Sequence, residues 1–168
     1  MLAYRDITLK TKINDRQGLE EKLLSMGARL IKKEKQHDIY FQVSEGKLKY
    51  RKSPDSEKLI HYKRERFNHC EKTVVFRYER NPSEEAVKKL FHRLPLLAET
   101  KKIRSLFQKN NVSIHIDEMS DGRQFLELEA KDFGGKRGDE QLKKECFDVF
   151  YELGFCRQDL IQTGYQNL

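Results

Sequence analysis

Apolar and polar residues alternate with a period of two over most of the chain, and helical spacing interrupts that pattern in three places. Residues 4–13 read as a strand with Ile7 and Leu9 on one face and Asp6, Thr8, Lys10 and Lys12 on the other. Asp15 then caps a helix in which Leu19, Leu23 and Met26 share a stripe, and Gly27 stops it. Strand patterns follow at 28–43, 47–52, 58–67 and 72–80, separated by turns at Ser44-Glu45-Gly46 and around Pro54. Pro82 and Ser83 introduce a second helix carrying Val87, Leu90, Phe91 and Leu94. Three more strands are expected at 97–109, 112–118 and 124–131, the last two joined by a turn ending in Ser120-Asp121-Gly122. A third helix over 139–153 buries Leu142, Cys146, Val149, Phe150 and Leu153, and a packed tail with a short helix ends the chain.

These elements predict an α+β fold of about eight strands, with neighbouring strands pairing antiparallel and closure removing exposed edges. Propensity alone does not establish a barrel. The 168 residues suit one domain, 1–168, with a core that needs no disulfide, and no linker or repeat divides them. A 37% hydrophobic content excludes a disordered basic tail. No apolar run is long enough to span a membrane as a helix, and the start lacks a signal-peptide core. Cys70, Cys146 and Cys156 show no metal-ligand spacing and read as free thiols, which places the protein in a reducing cytoplasm.

The chain has 34 Lys+Arg against 27 Asp+Glu, a formal net charge of +7. That excess suits any clustered anion, so the placement of the cations matters more than their number. Lys47, Lys49 and Arg51 alternate on one strand face, as do Lys102 and Arg104, and Arg77 sits within an apolar strand. Lys63 and Arg64 fall on opposite faces, and periodicity does not choose between them. Asp117 ends one late strand while Glu127 and Glu129 alternate on the next, a placement that would let a hairpin gather them around a hard divalent cation. Cations and carboxylates in one site suit a polyphosphate with Mg2+ or Mn2+. A glycine-rich phosphate loop is absent.

The ordered fragments ITLK, HDIYF, GKLKYRK, LIHYKRE, KKIRSLF, SIHID, FLELEA and DLIQTGYQNL resemble the CYTH superfamily, and most closely the CyaB-like class IV adenylate cyclases. The resemblance implies a closed tunnel of eight antiparallel strands with helices outside. It assigns triphosphate contacts to Lys10, Lys49, Arg51, Lys102 and Arg104, and to Arg64 with Lys63 as the alignment alternative, and it adds Arg77. It places metal ligands at Asp6, Asp117, Glu127 and Glu129, with Lys10, Glu127 and Glu129 as the catalytic set. The opening motif departs from the family's Glu-any-Glu-any-Lys: this chain reads Asp6-Ile7-Thr8-Leu9-Lys10, so Thr8 supplies a hydroxyl where a carboxylate is expected.

The expected partner is therefore a small triphosphate, with a long nucleic acid disfavoured, no membrane, and a homodimer allowed by the resemblance. Three functions compete. A cyclase would convert ATP to cyclic AMP and pyrophosphate, a triphosphatase would release orthophosphate, and a receptor would hold the ligand without turnover. His115 alternates with Asp117 and is expected to be a structural hydrogen-bonding group, and Tyr165 is expected to close one mouth of the tunnel or to anchor the terminus.

Overall fold

A computed structural model of the chain describes residues 3–67 and 70–161. Along the chain these form β1 (Tyr4–Lys12), α1 (Arg16–Ser25), β2 (Arg29–Phe41), β3 (Lys47–Lys52), β4 (Glu57–Phe67) and β5 (Cys70–Arg80). Then come α2 (Glu84–Arg93), β6 (Leu96–Lys109), β7 (Val112–Met119), β8 (Gln124–Asp132), α3 (Asp139–Glu152) and a short 3-10 turn, Arg157–Asp159. The strands close into a barrel in the order β1-β5-β4-β3-β2-β6-β7-β8, every neighbouring pair antiparallel. The predicted strands and helices are present among the described residues, and the tail beyond residue 161, with Tyr165, lies outside them.

α1 and α2 each begin on a side-chain cap. Asp15 accepts from the Gly18 N–H at 3.0 Å and Ser83 from the Ala86 N–H at 3.2 Å, each satisfying one donor left over at a helix N-terminus. In α2, Glu84 and Glu85 stand in the first turn and His92 and Arg93 in the last, matching the helix dipole at both ends. The turn into β3 depends on Gly46, which has φ +70, and a Cβ there would sit 2.3 Å from the Tyr62 carbonyl oxygen.

Because the barrel is closed, its hydrophobic core lies outside the lumen, under the helices. Ile7, Leu9, Ile114, Ile116, Leu126 and Leu128 project from β1, β7 and β8 onto Leu19 and Leu23 of α1 and Leu142, Cys146 and Phe150 of α3. Each large side chain fully removed from water there contributes roughly 1.5–3 kcal/mol. A second cluster of Ile39, Phe41, Leu48, Tyr50 and Leu59 is covered by Val87 and Leu90 of α2 and by Leu94 just after it. Phe91 extends the same stripe, its ring edge-on to Phe41 at 5.1 Å, yet remains 43% exposed. The alternate residues of every strand are thereby left to face inward.

Three extra residues, Ile31, Phe76 and Leu97, shift the register and help decide which ones do. β4–β5 pairing skips from His61↔Arg77 to Tyr62↔Val75, so Phe76 is bulged and the inward phase slips by one. β2–β6 pairing skips Ile31 in the same way between Leu30 and Lys32.

Candidate functional site

The lumen is a cavity of about 200 Å³ lined almost entirely by polar and charged side chains. β1 supplies Asp6, Thr8 and Lys10, β3 supplies Lys49 and Arg51, and β4 supplies Arg64. Lys102 and Arg104 come from β6, His115 from β7, and Glu127, Glu129 and Lys131 from β8. Strands far apart in sequence meet here because the barrel closes: Lys10 lies opposite Glu127 in the β1–β8 pair, and His115 opposite Glu127 in the β7–β8 pair.

One side of the lumen is a ladder of buried ion pairs. Arg51 donates through Nε and Nη2 to the two oxygens of Asp38 at 2.6 and 2.7 Å. Arg104 makes the same paired contact to Asp117, at 2.7 Å for each bond. Lys102 stands between them, its Nζ 3.3 Å from Asp117 Oδ2 and 3.8 Å from Asp38 Oδ2. Both aspartates are fully buried. Burial opposes their ionisation, but the guanidiniums of Arg51 and Arg104 outweigh it and hold both carboxyls far below the usual range. Lys102 is pushed down to about 8, first by burial and then by Arg104. Lys49 is pushed well down by burial and by Arg51, and its Nζ sits 5.4 Å from the centre of the Tyr62 ring.

On the other side the carboxylates keep oxygens directed at the cavity. Glu127 receives a hydrogen-bonding contact from His115 Nδ1 at 3.2 Å and lies 3.5 Å from Lys10 Nζ. Burial opposes its charge, but Lys10, His115 and Arg104 together hold it ionised. Glu129 pairs with Lys131 at 3.1 Å and, despite burial, is lowered to about 2. Asp6 behaves oppositely: burial and the neighbouring Glu129 raise its pKa well above the usual range, and Thr8 Oγ1 donates to it at 3.0 Å. His115 is lowered by burial and by Arg104, which favours the neutral imidazole with a free nitrogen lone pair.

His115, Glu127 and Glu129 each offer a donor atom within 4.8 Å of the others, a nitrogen-and-oxygen set that could hold a divalent metal. This differs from the expected ligand set. Asp117 is committed to Arg104 and Lys102, while His115, expected to be only structural, stands in the cluster. Asp6 lines the lumen beside it but is not in the cluster.

The expected basic residues divide between lumen and exterior. Lys10, Lys49, Arg51, Arg64, Lys102 and Arg104 all line the lumen. Arg64 is chosen over Lys63, which is exposed and 3.6 Å from Glu45 on the outside. Arg77 is turned outward to pair with Glu79, because the Phe76 bulge puts Tyr78 rather than Arg77 on the inner face. Lys131, Lys58, Glu34 and Gln36 line the lumen and were not anticipated. Lys131 simply continues the alternation of Glu127 and Glu129, a signal available in the sequence.

The fold and this charged lumen together define a triphosphate-tunnel architecture, and the CYTH domain model matches residues 5–165: the chain belongs to the CYTH family. It is similar to a candidate adenylate cyclase of Methanocaldococcus jannaschii, 24% identical over 172 residues and covering 97% of each chain. Among solved structures it resembles a protein of Pyrococcus horikoshii, with a TM-score of 0.82 at 21% identity over 97% of this chain and 98% of that one. A candidate adenylate cyclase of Vibrio parahaemolyticus gives 0.75 at 12% identity over 96% and 95%. At these identities the structural likeness is one of fold. Among the described residues no helix is long and apolar enough to cross a membrane.

Proposed function

We propose that the protein is a divalent-metal-dependent enzyme that binds a small triphosphate in the tunnel and promotes displacement at one of its phosphorus atoms. The observation that carries this reading is the meeting of both charge types in one small lumen: Lys10, Arg51, Arg64, Lys102 and Arg104 stand within the same cavity as His115, Glu127 and Glu129. Arginines held by paired contacts present rigid N–H donors to phosphate oxygens, so much of the ordering cost is met before the ligand arrives. Lys10, beside Glu127, adds positive charge where a leaving group or attacked phosphoryl group would gain negative charge.

His115, Glu127 and Glu129 would hold Mg2+ or Mn2+, and the oxygen-rich donor set fits either. When bound, the metal supplies charge neutralisation of the phosphates and activation of the attacking oxygen. The cyclase descriptions of the M. jannaschii and V. parahaemolyticus proteins support ATP cyclisation, the CyaB-like reaction, as the first chemistry to test. In that reaction the ribose 3′ oxygen attacks the α-phosphorus and pyrophosphate leaves, whereas hydrolysis uses the same binding groups with water as nucleophile.

One observation favours a second reading, ligand binding without turnover. Thr8 supplies a hydroxyl in place of a carboxylate and donates to Asp6, whose ionisation is opposed by burial and by Glu129, so the opening strand offers a weakened anionic site. The deciding experiment is a product assay with ATP, thiamine triphosphate and inorganic tripolyphosphate in Mg2+ and in Mn2+. Cyclic AMP with pyrophosphate, or orthophosphate, supports an enzyme and identifies its reaction. Tight binding with neither product supports the receptor, and no binding of any triphosphate overturns both.

A further inference from the structure

The inner face of β2 holds two oxygen atoms that nothing in the lumen explains. Glu34 and Gln36 are 8% and 5% exposed, and among their side-chain atoms Glu34 Oε2 and Gln36 Oε1 are buried without a hydrogen-bond partner. Buried acceptors left this way cost roughly 1–3 kcal/mol each, so a pair on one strand face points to something that satisfies them. Their orientation is fixed. Gln36 Nε2 donates to Glu34 Oε1 at 2.9 Å, and flipping the amide would set its oxygen against a carboxylate oxygen.

The nearest cations do not serve these oxygens. Arg104 and Lys102 lie opposite Glu34 and Gln36 in the β2–β6 register, but Asp117 and Asp38 engage them. Lys32 approaches Glu34 through Oε1, at 3.1 Å, and leaves Oε2 aside. The missing group must be a hydrogen-bond donor. A further cation is disfavoured, because Lys32, Lys58, Arg51, Lys102 and Arg104 already line the lumen. Phosphate oxygens are excluded too, being acceptors themselves. A neutral N–H or O–H remains.

We propose that Gln36 and Glu34 form an acceptor pair for neutral N–H or O–H groups on the organic half of an organic triphosphate, and so favour such substrates over inorganic tripolyphosphate. This rests on the reading of the tunnel as a triphosphate site. Inorganic tripolyphosphate brings no such donor and leaves both oxygens to water, whereas a sugar hydroxyl or a base amine on the ligand satisfies them directly. Sites built around a hydrogen bond discriminate strongly against ligands that lack it.

Calorimetric titration in metal-free buffer, where turnover is suppressed, tests the idea with ATP, GTP, thiamine triphosphate and inorganic tripolyphosphate. The wild-type protein should bind at least one organic triphosphate about tenfold more tightly than tripolyphosphate. Gln36→Met should lower that preference about tenfold while tripolyphosphate affinity stays within about threefold, which also shows that the tunnel is intact. Glu34→Gln provides an independent variant: its Oε1 can still accept from Gln36, and the group facing the lumen becomes a donor, so the preference should fall or reverse. Equal binding of tripolyphosphate and all three organic ligands by the wild type overturns this inference but leaves the triphosphate reading standing. So does a preference unchanged within about twofold in both variants. Absence of binding by all four ligands overturns both.

Discussion

Asp38 and Asp117 on one side of the lumen, and Glu127 and Glu129 on the other, are acids flanked by cations, yet they spend their oxygens differently. Each aspartate gives both oxygens to one arginine and also lies within reach of Lys102. Each glutamate offers an oxygen within 4.8 Å of the other's and of a His115 ring nitrogen. The first pair therefore fixes cations in place, and the second pair is available to a ligand. A strongly shifted pKa does not separate the two roles, since all four carboxyls are lowered despite burial. The count of remaining acceptor sites does.

The sharpest way to break this distinction is Asp117→Ala. It leaves Arg104 and Lys102 short of a buried counter-charge and should cost about 3–5 kcal/mol, read by urea unfolding. Glu127→Gln should act the other way round. It also weakens the counter-charge of buried Lys10, but its distinguishing effect should be at least about a tenfold loss of Mn2+ affinity, measured by electron paramagnetic resonance, which Asp117→Ala should leave within about threefold. If the two variants show the same pattern, the division between fixing and ligand-facing acids is wrong.

The pH dependence sharpens the arginine side. Asp38 and Asp117 have depressed folded-state pKa values, so their contribution is complete above the unfolded carboxyl value of about 3.9 and is lost as pH falls toward the folded values. Lys102, lowered to about 8, gives the same sign of pH dependence in a higher window. Between that value and the unfolded lysine value of about 10.4 the unfolded chain binds more protons, so stability rises with pH. As pH rises through about 8 the folded Lys102 loses its charge, and affinity for tripolyphosphate should fall. Lys102→Met should abolish both steps, in denaturation and in calorimetric titrations across pH 7 to 10. The smallest effects are expected outside the tunnel, where Lys63→Ala and Arg77→Ala should change stability by under about 0.5 kcal/mol and triphosphate affinity by less than about twofold.

Much of this was legible in the sequence, and the misses have local causes. Alternation reveals Lys49, Arg51, Lys102, Arg104, Glu127 and Glu129 as inward positions because those segments are regular, and the outer apolar residues mark the opposite face. Arg77 is misassigned because Phe76 is an extra residue, and a bulge leaves no reliable mark in an apolar run such as VVFRY. Lys63 and Arg64 cannot be separated without knowing which face of β4 meets the lumen, and that depends on pairing with β3 and β5. His115 joins the carboxylates only through the β7–β8 register, which sets it opposite Glu127. The clamping role of Asp38 and Asp117 depends on cross-strand neighbours, Arg51 on β3 and Arg104 on β6, that no single strand contains.

The β1–β8 seam carries a consequence for how the protein is made. Lys10 and Glu127 come from opposite ends of the chain and meet only across that seam, the longest-range pairing in the barrel. Contacts of such sequence separation form slowly, because loop entropy must be lost before they stabilise anything. During synthesis, a chain still lacking β8 has the arginine ladder's strands but neither glutamate, so it cannot yet gather the ligand-facing acids. Metal binding at the candidate cluster would then report on maturation, because the cluster is assembled in the same event that completes the topology.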